Sequence, residues 1–318
     1  MSATPPPFHG PRDPGDAWAV GPDGTRMWGR FGSAGLLAVD AVRGVLLQHR
    51  AVWSHHGGTW GIPGGARHQH EPAVDAALRE AHEEAGVPLD ALAPLFTSTL
   101  DLGFWTYTTA AARTVRDFEP AITDAESLEV AWIPFDAVET LPLHPHFAAA
   151  WPRLRRLVER RPVLVVDAAN LVGSRPDGWW KDRPGAARRL LADLRRALDP
   201  GLPAELLRVP DELLPTGGDT VWPRTVVVLE GAARAGAAAG ALDDGGPSRQ
   251  PGQRWLDMAV EHAAGSGDDA IVERVRALLA DTPEAAVTVT TSDRGLRERV
   301  EALGAHTLGV GTLLRLLG

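Results

Sequence analysis

The chain has 318 residues and an ordinary globular composition, which indicates two compact domains of usual size rather than one. Its formal net charge of −9, from 41 acidic and 32 basic residues, argues against a protein that coats nucleic acid or binds membranes through a polybasic segment. It contains no cysteine, so disulfides and thiolate metal sites are excluded and any metal must take oxygen or imidazole ligands. No apolar run is long enough to span a bilayer, and we expect a cytoplasmic protein with no membrane partner.

The first half of the chain has the pattern of an α+β domain. Residues 1–26 are rich in Pro and Gly, which predicts a flexible N-terminal arm. Short apolar runs bounded by turn residues then predict strands at 36–39, 45–48, 95–102, 105–110 and 128–133. Helical composition follows at 73–85 and 147–161. We therefore place a first domain, a mixed sheet with flanking helices, at residues 27–161.

The second half alternates buried strands with helices. After Arg160-Arg161-Pro162, the run 163–167 has the continuous apolar character of a buried parallel strand, and similar runs recur at 225–229 and 287–290. Helices are predicted between and after them at 184–198, 268–279 and 294–303. Such alternation is typical of an α/β fold, so residues 162–318 are predicted to form a second domain with a mainly parallel sheet.

One segment of the first half carries a long motif with many fixed positions. It starts at Gly65, reaches Glu71 after five residues, and after seven more reads Arg79-Glu80-Ala81-His82-Glu83-Glu84-Ala85-Gly86-Val87. On a helix, positions i, i+3 and i+4 share one face, so Glu80, Glu83 and Glu84 lie together and repel one another. A divalent cation with carboxylate ligands neutralises such a face, and Mg²⁺ or Mn²⁺ suits oxygen ligands.

This segment, with the preceding Trp60-Gly61-Ile62-Pro63-Gly64, resembles the complete signature of the Nudix hydrolases, with the MutT-type enzymes as the nearest comparison. The resemblance implies metal-dependent hydrolysis of a phosphoanhydride bond in a nucleoside-diphosphate-linked substrate. It implies that Gly64, Glu80, Glu83 and Glu84 hold Mg²⁺ or Mn²⁺. It also implies that Arg79 orients the glutamates and that Glu71 braces the arrangement.

Recognition of the nucleoside lies outside this box. Trp105 and Tyr107 are candidates for stacking on a base, although aromatic residues of half-buried strands often belong to the core. Glu126 and Glu129 are candidates for an additional acidic ligand, and Glu129 is also assigned to substrate binding. Residues 67–70 depart from the Lys-rich, Glu-containing stretch of MutT-type enzymes, which argues against 8-oxo-dGTP as the substrate. A nucleotide sugar or ADP-ribose remains an alternative.

Polar residues follow the strands of the second half where each strand ends. Asp167 closes the first strand and precedes Asn170, and the other acidic positions at strand ends or a helix start are Glu230, Asp268 and Asp293. Ligands of α/β sheets bind at the carboxyl ends of the strands, so these side chains are candidate metal ligands, with Asn170 in support. The alternative is that Asp268 and Asp293 cap helices.

The second half also resembles the NYN branch of the PIN-like nucleases, of the YacP type, through Asp-x-x-Asn at residues 167–170, Gly-x-x-Asp-Asp-like residues at the helix entry, and Thr-Ser-Asp-Arg at 291–294. The resemblance implies a metal-dependent ribonuclease whose metal is held by Asp167, Glu230, Asp268 and Asp293. Trp179 and Arg183 belong to a basic and aromatic loop suited to RNA. A non-catalytic RNA-binding or interaction module that directs the hydrolase is the alternative.

Overall fold

The computed structural model describes residues 13–175, 178–242 and 254–317, and the chain divides into two compact units. The first unit comprises Met1–Arg156 and Glu212–Asp219, and the second comprises Leu157–Asp211 and Thr220–Gly318. Within the described ranges, no helix has both the length and the apolarity that crossing a membrane requires.

The short segment Glu212–Asp219 is held in the first unit by hydrogen bonds. The carboxylate of Asp219 accepts from the Thr99 hydroxyl at 2.9 Å, and Arg153 donates to the carbonyl of Leu213 at 2.7 Å. The predicted first domain, residues 27–161, therefore omits the segment Glu212–Asp219 of this unit.

The first unit is built on a mixed sheet. Its strands are β1 (Trp18–Val20), β2 (Arg26–Trp28), β3 (Ser33–Asp40), β4 (Gly44–Arg50), β5 (Trp60–Gly61), β6 (Gly64–Ala66), β7 (Leu92–Asp101), β8 (Thr106–Thr114) and β9 (Ser127–Ile133). Strand β3 pairs with β8 in parallel and with β4 and β6 antiparallel, while β7 pairs antiparallel with β8, and β5 and β9 pair antiparallel with β4. The predicted α+β sheet is confirmed.

Two helices flank this sheet, α1 (Ala73–Ala85) and α2 (Pro145–Glu159). Helix α1 has the predicted bounds, and it ends at Gly86, whose φ of 64° is the left-handed conformation that glycine adopts without strain. Its buried apolar residues are Ala76, Ala77, Ala81 and Ala85, which pack against β3 and β8 through Leu36, Ala110 and their neighbours, and Glu84 is buried as well. Because alanine allows a close approach, the glutamates on another face of α1 lie close to strand β6, which α1 also contacts.

The N-terminal arm was predicted to be flexible as far as residue 26, and this is wrong for its described part. Strands β1 and β2 form an antiparallel hairpin in which Trp18 pairs with Trp28. The two indole rings meet edge to face with centroids 5.3 Å apart, and the Arg26 guanidinium lies over the Trp18 ring at 5.0 Å. Aromatic packing and cation–π contact thus compensate for the Gly and Pro residues of the segment. Residues 1–12 of the arm lie outside the described residues.

The second unit contains a six-stranded sheet in the order β14-β15-β13-β10-β16-β17. Its strands are β10 (Val163–Asp167), β13 (Arg224–Leu229), β14 (Gly240–Ala241), β15 (Met258–His262), β16 (Val287–Thr290) and β17 (His306–Leu308). Strands β15, β13, β10, β16 and β17 run parallel to their neighbours, and β14 pairs antiparallel with β15 at the edge. The short strands β11 (Leu202–Pro203) and β12 (Thr220–Val221) pair with each other.

Helices cover the sheet of the second unit and bury its apolar strands. They are α3 (Ala168–Gly173), α4 (Arg183–Leu198), α5 (Gly267–Asp281), α6 (Arg294–Glu301) and α7 (Val310–Leu317). Helices α5 and α6 share a core with Val163, Val165 and other alternate residues of β10, β13 and β16. Helices α3, α4 and α7 contact one another, and α3 packs on β13. The predicted mainly parallel sheet is observed, while β15, β17 and α7 lie outside the predicted elements.

Candidate functional site

The glutamates of α1 are held against the glycine pair of strand β6. Glu84 is 5% exposed, and its Oε2 accepts a hydrogen bond from the backbone N–H of Gly64 at 2.8 Å. Gly65 lies against Glu80 so closely that a Cβ there would lie 2.7 Å from the Glu80 carboxylate. Gly65 therefore leaves room for the Glu80 carboxylate, and Gly64 leaves room for strand β3, because a Cβ at Gly64 would lie 2.5 Å from the Ala34 carbonyl oxygen.

Arg79 links four acceptor groups around the box. Its Nε and Nη2 donate to the two oxygens of Glu71 at 2.9 and 3.0 Å, and Nη2 also donates to the Ala66 carbonyl at 3.0 Å. Its Nη1 donates to Glu80 at 2.9 Å and to Glu83 at 3.1 Å. The guanidinium lowers the pKa of Glu71, and Glu71 in turn raises the pKa of Arg79. These charge-assisted hydrogen bonds fix the positions of Glu71, Glu80 and Glu83 relative to one another.

The carboxyl groups of Glu80 and Glu84 resist ionisation. Burial raises the pKa of Glu80 from 4.5 to about 7, against the opposing effect of Arg79 and with further increases from Glu83 and Asp16. Burial raises the pKa of Glu84 well above its usual value, and the nearby Glu80 adds to that rise. Two partly desolvated carboxylates thus share one small region, where a bound cation would favour their ionised forms.

This donor set fits a hard divalent ion. Glu80, Glu83 and Glu84 offer carboxylate oxygens from one helix face, and Gly64 lies within hydrogen-bond distance of Glu84. Oxygen ligands of this kind suit Mg²⁺ or Mn²⁺. The crowding of the charges on Glu80 and Glu84 is the structural feature that a cation would relieve.

Glu126 and Glu129 differ in their relation to this region. Desolvation raises the pKa of Glu126, and the nearby Asp124 and Asp16 add to the rise. Asp16 also acts on Glu80, and Asp124 acts on Glu84, so Glu126 shares acidic neighbours with both. Glu129 lies on β9 opposite His49. Both glutamates are exposed, and neither belongs to the lining of the adjacent cavity, so the cavity does not include Glu129, the predicted substrate-binding residue. Only the acidic neighbours that Glu126 shares with Glu80 and Glu84 make it the stronger candidate for the extra acidic ligand.

Sequence reasoning missed Asp16 and Asp124. Asp16 lies in the segment assigned to the flexible arm, and Asp124 lies in the connection before β9. Burial raises the pKa of Asp124, which hydrogen-bonds to Ser127 through the side chains at 3.2 Å. Neither residue belongs to a motif, so the local sequence contains no signal that places them near Glu80 and Glu84.

A cavity of about 230 Å³ lies beside the box, and Gly64, Gly65 and Tyr107 belong to its lining. Burial and the nearby Glu84 raise the pKa of Tyr107, which keeps its hydroxyl protonated. Trp105 also lines the cavity, is 7% exposed, and donates from its indole nitrogen to the Trp28 carbonyl at 2.9 Å. Both predicted aromatic residues therefore face the cavity, and the N-terminal hairpin supplies part of its wall through residues 26–28.

The carboxyl ends of β10 and β16 are joined in the second unit. Asp167 is 6% exposed, and it accepts from the backbone N–H of Asn170 at 3.0 Å and from the Thr291 hydroxyl at 2.9 Å. Asn170 in turn accepts from the backbone N–H of Ser292 at 3.1 Å. Asp167 and Asn170 thus hold the loop after β16 against the end of β10, at the point where the strand order reverses.

Two of the other predicted acidic residues, Asp268 and Glu230, interact with Asp167, and Asp293 interacts with Asp268. Burial raises the pKa of Asp167, and Asp268 and Glu230 add to the rise. Burial and Asp293 likewise raise the pKa of Asp268. Asp293 caps α6 through the backbone N–H of Leu296 at 2.8 Å, whereas Ser266, not Asp268, caps α5. Glu230 accepts from the backbone N–H of Gly267 at 2.7 Å. Capping therefore accounts for Asp293 but not for Asp268.

Comparison with known proteins concerns the first unit. A family profile described as the NUDIX domain matches residues 29–157. A Mycobacterium tuberculosis protein named “Putative 8-oxo-dGTP diphosphatase 3” is 45% identical over 166 residues, which cover 49% of this chain and 76% of that protein. A Bifidobacterium longum protein named “Nucleoside triphosphate pyrophosphatase/Nudix hydrolase fusion protein” is 39% identical over 156 residues, covering 46% of this chain and 32% of that protein.

Among solved structures, the crystal structure of the Nudix hydrolase RenU from M. smegmatis is 46% identical, with a TM-score of 0.41. The match covers 46% of this chain and 96% of the RenU chain. Through the region that contains the box and its cavity, the chain belongs to the Nudix family.

Proposed function

We propose that the first unit hydrolyses a phosphoanhydride bond of a nucleoside-diphosphate-linked substrate with Mg²⁺ or Mn²⁺. The observation that carries this proposal is that Gly64 and Gly65, which line the cavity, are the same residues that contact Glu84 and Glu80. A diphosphate in the cavity would therefore lie next to the carboxylates that suit a divalent ion.

The ion, when bound, neutralises the diphosphate oxygens and lowers the pKa of a water molecule. Glu80, Glu83 and Glu84 hold it, and Arg79 keeps Glu80 and Glu83 in place through hydrogen bonds of 2.9 and 3.1 Å. Proton removal from the attacking water requires a nearby carboxylate, and the glutamates with a raised pKa here are Glu80, Glu84 and Glu126. Single Glu→Gln variants at these three positions distinguish them, because only loss of the base removes the acidic limb of the pH–rate profile.

The substrate is best sought first among nucleoside triphosphates. The 45% identical relative carries 8-oxo-dGTP in its name, which supports this nucleotide despite the departure of residues 67–70 from the MutT pattern. The cavity wall includes Trp28, Trp105 and Tyr107, whose rings suit a base. ADP-ribose and nucleotide sugars share the diphosphate, so they are the competing substrates.

The test uses the full chain and a panel of dGTP, 8-oxo-dGTP, ADP-ribose and a nucleotide sugar, each with Mg²⁺ and with Mn²⁺. Chromatography of the products identifies the bond that breaks. Glu84→Gln protein, purified in the same way, controls for contaminating phosphatases. Metal-dependent cleavage of one class by the wild type alone supports the proposal, and no cleavage of any diphosphate would refute it.

We also propose that the second unit binds RNA and cleaves it with a divalent ion. This proposal is supported by the strand order β15-β13-β10-β16-β17, which brings Asp167 and the residues after β16 to one edge. A cavity of about 150 Å³ beside Glu230 is lined by Trp179 and Arg183, with the guanidinium 5.6 Å from the Trp179 ring centroid. An aromatic ring beside a cation suits an unpaired base and its phosphate.

Single-stranded RNA with a 5′-hydroxyl end tests this second function, because it offers no phosphoanhydride bond to the first unit. We expect Mn²⁺-dependent internal cleavage by the full chain, its loss in Asp167→Asn, and its retention in the exposed-carboxylate control Asp281→Asn. Binding without cleavage would identify a non-catalytic RNA-binding module. If the protein neither binds nor cleaves the RNA, the acidic residues have a structural role only.

A further inference from the structure

Histidines from two separate segments meet at the mouth of the first unit's cavity. His55 and His56 lie between β4 and β5, and His144 and His146 lie at the start of α2. Ring centroids are 4.2 Å apart for His55 and His56, and 4.7 Å apart for His56 and His144. One ligand atom from each of His55, His56 and His144 lies within 4.8 Å of the others, and in the described parts of the chain no other His, Asp or Glu group of three meets this criterion.

Two of these imidazoles, His55 and His144, have lowered pKa values that favour the neutral form near pH 7. Burial, together with the nearby His56, Arg50, His146 and His55, lowers the pKa of His144 to about 3. Burial and His56 likewise lower the pKa of His55. A neutral imidazole keeps a lone pair on one ring nitrogen, whereas a protonated one cannot bind metal. His55 and His144 therefore offer neutral nitrogen donors to a metal ion.

The loop that carries the first two histidines is held in an uncommon conformation. His56 has a φ of 54°, in the left-handed region that residues other than glycine rarely adopt. The Thr59 hydroxyl donates to the His56 carbonyl at 2.6 Å, and Arg50 donates to the His55 carbonyl at 3.2 Å. The His56 ring is thereby held on the side of the loop that faces the start of α2, as its contacts with His144 and His146 show, and the His55 ring packs against it.

Imidazole nitrogen is the preferred donor for borderline ions such as Zn²⁺, Ni²⁺ and Co²⁺, whereas Mg²⁺ prefers oxygen. A tetrahedral ion with Zn–N bonds of about 2.0 Å needs the three nitrogens to move closer together. The side chains of His55 and His56 are exposed and so are free to make this adjustment. The backbone N–H of His146 donates to Nδ1 of His144 at 3.3 Å, and coordination through Nε2 would shift the ring proton to Nδ1 and break this contact.

We propose that His55, His56 and His144 bind one transition-metal ion, separate from the ion of the glutamate helix. Three protein ligands leave a coordination position for water or for a group in the cavity, whose lining includes His55 and His144. This site does not depend on the hydrolytic function proposed above, because it shares no ligand with the box.

The test measures metal binding rather than turnover. Full-length protein without an affinity tag is treated with a chelator and titrated with Co²⁺ while Mg²⁺ is kept in excess, so that Mg²⁺ occupies the carboxylates. Visible absorption reports nitrogen-bound Co²⁺, and metal analysis after dialysis gives the stoichiometry. We expect one ion per chain, and an affinity that falls roughly tenfold or more in His56→Ala and in His144→Ala.

His306→Ala, which removes an exposed histidine of the second unit, is the matched control and should bind as the wild type does. His56 is exposed, so its variant keeps the test valid if His144→Ala perturbs the fold. Equal Co²⁺ binding by the wild type and both variants, or no nitrogen-bound Co²⁺ in any of them, would overturn the proposal. Either result is independent of whether a nucleotide is hydrolysed.

Discussion

The backbone N–H of Gly64 donates to Oε2 of Glu84 at 2.8 Å, which joins the strand before the box to the last turn of its helix. The two residues are 20 positions apart, and Glu84 is 5% exposed. A buried carboxylate that is held by a neutral donor keeps much of its desolvation cost. The relationship therefore predicts opposite effects of one substitution on activity and on stability.

Glu84→Gln should reduce hydrolysis roughly 100-fold or more, because an amide is a poor ligand for a hard divalent ion. In metal-free protein the melting temperature should stay the same or rise at pH 8, because a buried carboxylate with a raised pKa is replaced by a neutral group. Turnover and thermal melting in chelator measure the two effects. The exposed control Glu139→Gln should change neither, and wild-type turnover by Glu84→Gln would contradict the metal assignment.

The raised pKa of Glu80 predicts how the stability of the metal-free protein depends on pH. Its pKa rises from 4.5 to about 7 on folding, so the folded state binds the proton more tightly than the unfolded state. Its contribution to stability is therefore present below pH 4.5 and is lost as the pH rises towards 7. In metal-free protein, the melting temperature of Glu80→Gln relative to wild type should increase between pH 5 and pH 8. A melting-temperature difference that stays constant from pH 5 to pH 8 would contradict the raised pKa of Glu80. Saturating Mg²⁺ should make the pH dependence of this difference smaller.

Arg79→Lys should lower the rate or the apparent Mg²⁺ affinity about 10- to 100-fold, because lysine cannot form the paired hydrogen bonds that Arg79 makes with Glu71. If Arg79 positions the metal ligands, the substitution changes the Mg²⁺ dependence of kcat. If Arg79 contacts the substrate directly, it changes KM for the nucleotide instead. Arg116→Lys, at an exposed ion pair with Asp90, is the control and should have little effect. An unchanged Mg²⁺ dependence in Arg79→Lys would exclude the positioning role.

Gly65→Ala should reduce activity while the protein remains folded. The new Cβ would lie 2.7 Å from the Glu80 carboxylate, and this flexible side chain can move away at little cost to the fold. Its displacement removes one metal ligand. Gly311→Ala is the matched control, because no heavy atom lies within 4 Å of a Cβ at that position. Circular dichroism checks the fold of both variants, and full activity of Gly65→Ala would show that the position of Glu80 does not matter.

The amino-acid sequence by itself determined the parts that depend on local spacing. Helix α1 has the predicted bounds, and its glutamates share a face because positions i, i+3 and i+4 always do so on a helix. The strands Val163–Asp167 and Val287–Thr290 also have their predicted bounds, because runs of apolar and β-branched residues form buried strands where helices cover both faces of a sheet. These features are set within one turn or one strand.

Only the tertiary structure decided which distant residues meet. It brings Asp16 and Asp124 near the box, distinguishes Glu126 from Glu129, and makes part of the cavity wall from a hairpin that its Gly and Pro content had assigned to a flexible arm. His56 and His144 come together in the same way, from a loop and from the start of a helix. Such contacts depend on packing between segments far apart in the chain, which no local periodicity encodes.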